Sequence, residues 1–222
     1  MPKVMNQQNI LKYTILFLSA WRIDMFTCGV YVTTGLNTGN KKIYYILQWT
    51  TSKIYPLDAL GIGSKNLFNW TWTYKLSSDI RWSYILIYDL HGNEVGPKLK
   101  MNWPTKMKPI RDKKTKAILD GKTKAAAWFV SRCITHGQRE LYVQKLKPEL
   151  AKLNLILDVY GKCGNLVCPM GDNKCNELVK TDYYFYLSFE NSIAWDYVTE
   201  KLLTALLNYA VPVVYGGADY TR

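Results

Sequence analysis

The feature that most constrains the fold is a regular alternation of apolar runs and amphipathic segments from about residue 124 onward. Apolar runs at 125–130, 155–160, 183–189 and 211–215 have the length and composition of buried strands. Residues 137–150 and 197–209 show the spacing of amphipathic helices. Strands that alternate with helices predict an α/β fold with a parallel sheet. Ligands bind such sheets beyond the carboxyl ends of the strands.

The stretch before residue 124 is less regular and strongly basic. Short strands are predicted at 41–49 and 84–88. Much of the formal net charge of +12 lies in one run. The run contains Lys98, Lys100, Lys106, Lys108, Arg111, Lys113, Lys114, Lys116, Lys122 and Lys124. It lacks the interleaved aromatic residues of a stacking platform, so a solvated linker is favoured over a nucleic-acid-binding patch.

The N-terminal apolar segment at 13–32 has two interpretations. It is long enough to approach a membrane span, but it contains Arg22 and Asp24. Each interior charge costs roughly 2.5–3.5 kcal/mol on insertion into a bilayer. A signal-anchor with a cytoplasmic N-terminus and a buried or signal-peptide-like segment therefore both stay open.

The cysteines indicate an oxidising compartment rather than a metal site. Cys163, Cys168 and Cys175 lie in a loop rich in Gly, Asn and Pro, which predicts a disulfide-stapled loop. No Cys-x-x-Cys pair occurs and the chain has 2 histidines, so zinc is disfavoured. Asn69 begins an Asn-Trp-Thr sequence, which is an acceptor for N-glycosylation in secretory proteins.

Polar residues concentrate where the strand at 183–189 meets the next helix. Glu190 and Asn191 follow the strand, and Thr199, Glu200 and Lys201 stand at the predicted start of the helix. A helix N-terminus with a lysine in its first turn suits a phosphate. The same residue types also serve as ordinary helix caps, so the pattern alone leaves both interpretations open.

The string YYFYLSFENSIAWDYVTEKL at 183–202 resembles the signature segment of the α1,3-fucosyltransferases, glycosyltransferase family 10. The resemblance extends, in the same order along the chain, to FNWTWTYKLSSDI at 68–80, AWFVSRC at 127–133, DVYGKCG at 158–164 and PVVYGGADY at 212–220. It implies a GT-B-type enzyme with a Rossmann-like donor domain. Such an enzyme transfers fucose from GDP-fucose to a GlcNAc-containing glycan with inversion, and it needs no metal cofactor. No Asp-x-Asp motif of metal-dependent transferases occurs here.

The resemblance also assigns a donor site. The donor-binding residues it implies are Arg139, Tyr160, Glu190, Asn191, Tyr197, Glu200 and Lys201. Lys201 and Arg139 should contact the diphosphate, and Glu200 should hold the ribose or fucose hydroxyls. Tyr160 should flank the guanine, whereas Glu190 is either a donor contact or a salt-bridge partner.

The chain departs from the family pattern at the catalytic base. The family has a glutamate in a Glu-Ser-Pro-like segment shortly before the Phe-Asn-Trp-Thr motif. The corresponding stretch at 54–61 contains no glutamate, and Asp58 is its sole carboxylate. No catalytic residue is therefore identified. The strand predicted at 41–49 resembles the opening of the family's acceptor domain, and the Phe-Asn-Trp-Thr motif resembles its end, so the short spacing between them predicts that this domain is mostly deleted. The end of the sequence at Arg222 predicts a C-terminal truncation.

The resulting domain prediction has four parts. They are a cytoplasmic tail, signal-anchor and stem at 1–40, a remnant of the acceptor domain at 41–97, a basic linker at 98–123 and a GDP-fucose-binding domain at 124–222. The expected partners are GDP-fucose, a glycoprotein or glycolipid glycan and the Golgi membrane, with no nucleic acid. The expected location is the Golgi membrane, as a single-pass type II protein with a lumenal catalytic part. The alternatives are a GDP- or GDP-fucose-binding protein without transfer, a basic nucleic-acid-binding protein and another nucleotide-sugar transferase.

Overall fold

The computed structural model describes residues 30–38, 41–48, 70–101, 109–168 and 173–222. The N-terminal portion contains a four-stranded sheet in the order β1-β2-β3-β4. Its strands are β1 (Val30–Thr38), β2 (Lys41–Gln48), β3 (Trp70–Thr73) and β4 (Ile80–Arg81). Strand β1 runs antiparallel to β2, and the other neighbours are parallel. Strand β2 confirms the strand that the sequence predicts at 41–49.

A two-stranded ribbon follows, built from β5 (Ile87–Tyr88) and β6 (Glu94–Gly96). The predicted strand at 84–88 is wrong over its first three residues, because the strand begins at Ile87, and Tyr84 and Ile85 line a cavity. That cavity has a volume of about 90 Å³ and lies between this portion and the C-terminal portion.

The C-terminal portion is the predicted α/β unit. Its helices are α1 (Lys113–Asp120), α2 (Arg139–Lys152), α3 (Asn173–Asp182) and α4 (Glu200–Leu207). Its strands are β7 (Lys124–Phe129), β8 (Leu157–Tyr160), β9 (Tyr183–Phe189) and β10 (Val211–Tyr215). They form a parallel sheet in the order β10-β9-β7-β8, which confirms the predicted α/β class.

Alternate residues of each strand point to opposite faces of the sheet, and helices cover both faces. On one face Trp128 and Phe189 pack with Val143 of α2. On the other face Tyr183 packs with Val179 of α3. Covering both faces with helices leaves the carboxyl ends of the strands as the open edge where polar loops can gather.

Two helices were not predicted. Helix α1 lies inside the basic run, and α3 lies where the sequence suggested a cysteine-rich loop. None of the helices within the described residues combines the length and the apolarity required to cross a bilayer. Residues 13–29 of the predicted signal-anchor lie outside the described residues, and its last three residues, 30–32, belong to strand β1 and not to a helix.

Candidate functional site

The candidate site is formed by the loops that follow β7 and β9 at the carboxyl edge of the parallel sheet. The two loops touch, since the Gly137 amide donates to the Asn191 carbonyl at 2.8 Å. A Cβ atom at Gly137 would stand 3.1 Å from that carbonyl oxygen, so a larger residue would push the loops apart. The Tyr215 hydroxyl donates to the Gly137 carbonyl at 3.0 Å and fixes the same junction to β10.

Arg139 begins α2 and is buried at this junction, with 3% of its surface exposed. Its Nη1 donates to the carbonyl of Phe189, the last residue of β9, at 2.5 Å, and its guanidinium lies 5.5 Å from the Trp128 ring. Its Nε is buried without an acceptor among the described residues. A buried guanidinium with an unused donor is suited to receive an anion.

The charge of Arg139 is maintained despite its burial. Burial lowers the pKa of Arg139, and the negative charges of Glu190 and Glu140 oppose that shift. Arginine stays protonated in proteins because its intrinsic pKa lies far above neutral pH. Arg139 therefore keeps its positive charge at neutral pH.

Lys201, in the first turn of α4, supplies a second cation, and it is paired with Glu190, the residue that follows Phe189 at the end of β9. Its Nζ lies 3.2 Å from Glu190 Oε2, and it donates to the Thr199 hydroxyl at 2.7 Å and to Glu200 Oε1 at 3.2 Å. Arg139 is anchored on Phe189 and Lys201 on Glu190, so both cations are fixed at the end of β9.

The loop after β9 carries further polar groups. The side-chain oxygen of Asn191 and the hydroxyl of Ser192 are buried without a partner among the described residues. Tyr197 is buried, and its ring makes edge contacts with Tyr74 at 5.1 Å and Tyr84 at 6.5 Å. The N-terminal portion therefore packs directly on the loop that holds the site.

The predicted site residues do not all meet. Arg139, Glu190, Asn191 and Lys201 gather at the end of β9, together with Glu200, whose side chain is 67% exposed. The side chain of Tyr160 instead packs on the α3 face, where its hydroxyl bonds to that of Tyr183 at 2.6 Å. A role of Tyr160 beside a guanine stays a prediction.

Thr199 is a site residue that the sequence did not single out as a ligand-site member. It is 2% exposed and links Glu190 to Lys201 through its hydroxyl. The position of Thr199 directly before Glu200 and Lys201 was the signal available, but threonine there is equally typical of an N-cap.

Four of the cysteines form two disulfides. Cys133 follows β7 and is bonded to Cys163 after β8, and Cys168 is bonded to Cys175. Cys163 thus pairs outside the predicted three-cysteine loop. Asn69, Asp58 and the segment 54–61 lie outside the described residues. Within the described ranges, no group of three or more His, Cys, Asp or Glu side chains could hold a metal ion.

This geometry can bind an anion and stabilise negative charge that develops on it. Two cations are fixed by buried contacts at a strand end, and the first turn of α4 lies beside them. Fixed charges in a partly water-excluded site stabilise a developing charge without reorganisation. A phosphate or diphosphate fits this arrangement.

Comparisons with known proteins point to one family. A family model described as "Glycosyltransferase family 10 (fucosyltransferase) C-term" matches residues 119–222. Alpha-(1,3)-fucosyltransferase C of Drosophila melanogaster is 43% identical over 159 residues, which cover 71% of this chain and 36% of that protein. Alpha-(1,3)-fucosyltransferase fut-1 of Caenorhabditis elegans is 48% identical over 98 residues, covering 44% of this chain and 22% of that protein.

The match covers part of each relative. The Drosophila and Caenorhabditis proteins are matched over 36% and 22% of their lengths, so the chain spans about a third or less of them. A solved structure titled as an alpha1,3-fucosyltransferase aligns with a TM-score of 0.40 at 17% identity, covering 70% of this chain and 49% of that one.

Proposed function

The chain belongs, through residues 119–222, to glycosyltransferase family 10, and on that premise we propose that it binds GDP-fucose as the donor-binding part of an α1,3-fucosyltransferase. The proposed reaction transfers fucose to a GlcNAc-containing glycan with inversion. The observation that carries the proposal is a pair of cations, the buried Arg139 and the half-buried Lys201, fixed on Phe189 and Glu190.

The proposed mechanism uses these cations on the leaving group. Breaking the bond between fucose and GDP leaves negative charge on the β-phosphate. Arg139 offers its unused Nε donor, and Lys201 offers an ammonium proton once Glu200 moves aside. We propose that this charge stabilisation takes the place of a metal ion, so that the reaction is unaffected by chelators.

The second candidate is donor binding without transfer. Inverting transfer needs a general base to accept the proton of the attacking hydroxyl, and that base must face the donor from the opposite side. The segment where the family has its glutamate carries Asp58 instead. This observation is the basis of the second candidate, a GDP- or GDP-fucose-binding protein, whereas relatives named as alpha-(1,3)-fucosyltransferases favour transfer. The comparisons do not favour a nucleic-acid-binding function.

A lumenal Golgi location, with a type II membrane anchor, is part of the same proposal. The disulfides Cys133–Cys163 and Cys168–Cys175 support it, because disulfides persist in oxidising compartments. The acceptor is proposed to be a glycoprotein or glycolipid glycan.

The proposal is tested by calorimetric titration of the full chain with GDP, with UDP as the comparison nucleotide. Lys201→Ala should weaken GDP binding about 10- to 100-fold, because a hydrogen bond to a charged group contributes about 1.5–3 kcal/mol. Lys145→Ala, which removes an exposed lysine of α2, is the matched control and should leave the affinity unchanged.

Two outcomes would count against the proposal: a folded wild-type chain that does not bind GDP, or equal binding of GDP and UDP. Release of GDP from GDP-fucose in the presence of a lactosamine or N-glycan acceptor then separates transfer from binding alone.

A further inference from the structure

We propose that Glu190 is a positioning residue, which holds Lys201 and the start of α4 in the geometry that receives the donor diphosphate and does not itself contact the donor. The inference rests on the proposed function of this site. It replaces the expectation that Glu190 is one of the donor ligands.

The carboxylate of Glu190 is enclosed by protein donors and is closed to solvent. It is 1% exposed. Its Oε1 accepts from the Thr199 amide at 2.8 Å and from the Thr199 hydroxyl at 2.9 Å. Its Oε2 lies 2.9 Å from the same hydroxyl and 3.2 Å from Lys201 Nζ. Three protein donors therefore surround the buried carboxylate: the Thr199 amide, the Thr199 hydroxyl, whose single proton is shared by the two oxygens, and the Lys201 ammonium.

These contacts also cap α4 from outside the helix. Thr199 is the N-cap residue, yet its side chain makes no capping hydrogen bond to the helix. Glu190 satisfies the Thr199 amide, as the glutamate of a capping box would from within the helix. The Ser188 hydroxyl donates to the Lys201 carbonyl at 2.9 Å and adds a second tie. The end of β9 therefore sets the position of the first turn of α4.

The two glutamates around Lys201 differ in their freedom to move. The ammonium has three protons, and its three partners are the Thr199 hydroxyl, Glu190 and Glu200. Glu190 is 1% exposed in its side chain, whereas Glu200 is 67% exposed. A phosphate oxygen can therefore replace Glu200 while Thr199 and Glu190 keep the ammonium in place.

The test is a comparison of GDP and guanosine binding by the full chain and by Glu190→Gln. The amide keeps the shape of the side chain but turns an NH₂ group toward Thr199 or Lys201. We expect GDP affinity to fall about tenfold, because one partner of a buried charge pair is lost. Guanosine has no phosphate, so its affinity should not change. Glu177→Gln removes an exposed carboxylate paired with Lys180 and should change neither affinity.

A double-mutant cycle asks whether Glu190 acts through Lys201. In a Lys201→Met background, Glu190→Gln should cost less than about twofold in GDP affinity, because residues that act as one unit are not additive. Thr199→Val removes the shared hydroxyl and should mimic Glu190→Gln, which keeps the test available if Glu190→Gln does not fold. Far-UV circular dichroism checks the fold of each variant.

The inference is overturned by unchanged GDP affinity in Glu190→Gln, by an equal loss of guanosine and GDP affinity, or by additive losses in the cycle. These results differ from a failure of the proposed function, in which the wild-type chain itself does not bind GDP.

Discussion

At the scale of single residues, Lys122 is a buried polar residue just before β7, at the end of the sheet opposite the candidate site. Lys122 is 2% exposed. Its ammonium donates to the carbonyls of Val179 at 3.0 Å, Tyr183 at 2.6 Å and Asn208 at 3.4 Å. Burial lowers the pKa of Lys122, and the charge of Asp182 opposes that shift. One side chain therefore joins α3, the start of β9 and the segment after α4.

Replacing this lysine should destabilise the fold without changing the site. Lys122→Met keeps the length of the side chain but leaves buried carbonyl groups without their donor. An unsatisfied buried polar group costs about 1–3 kcal/mol, so the free energy of unfolding should fall by that amount. Urea denaturation measures it, with Lys145→Met on the exposed face of α2 as the control.

A loss of less than about 0.5 kcal/mol, the range of ordinary surface substitutions, would show that water replaces the ammonium at no cost. An increased urea slope would instead indicate a change in the compactness of the unfolded chain.

At the scale of elements, the predictions succeeded where apolar residues form a continuous run. The strands at 183–189 and 211–215 match β9 and β10 residue for residue. Helix α3 was missed because Cys175 and Val179 are its buried residues, which is too little apolar periodicity to stand out from a polar loop. Helix α1 has no buried residue at all.

The start of α4 was displaced for a different reason. The sequence predicts a helix from Tyr197, but the helix begins at Glu200. Asp196 has a left-handed backbone with φ of 58°, and the Tyr197 ring is held by Tyr74 and Tyr84. These contacts come from residues about 120 positions earlier in the chain. The resemblance to the family supplied the expected donor residues, and neither it nor the sequence pattern could show that Glu190 is enclosed by Thr199 and Lys201.

The two disulfides should contribute unequally to stability. Cys133–Cys163 spans 30 residues and Cys168–Cys175 spans 7. The loop-entropy model gives about 3.6 kcal/mol for the first and about 2.4 kcal/mol for the second. Replacing each pair by serine should therefore lower the free energy of unfolding by amounts that differ by about 1 kcal/mol, measured by urea denaturation under non-reducing conditions.

If removal of Cys168–Cys175 costs as much as removal of Cys133–Cys163, loop length does not determine what each disulfide contributes to stability. Wild-type protein treated with a reductant should lose about the sum of the two contributions if the pairs are independent.

At the scale of the whole molecule, two groups of cations lie at opposite ends of the parallel sheet. Helix α1 carries Lys113, Lys114 and Lys116 and leads into the amino end of β7. Arg139 and Lys201 lie beyond the carboxyl ends. Strand β7 has 6 residues, which corresponds to about 20 Å. Charges separated by more than the Debye length of about 8 Å at physiological salt are largely screened from one another.

This separation predicts that GDP affinity depends on two fixed cations and not on the formal net charge of +12. Changing Lys113, Lys114 and Lys116 together to glutamine removes three charges, yet it should alter GDP affinity by less than about twofold at 0.15 M salt. Lys201→Ala removes one charge and should weaken binding at least about tenfold. Calorimetric titration at 0.05 and 0.15 M salt compares the two variants. If the triple variant lost as much affinity as Lys201→Ala, the protein would attract GDP by its overall field, and the contacts at the end of β9 would not explain binding.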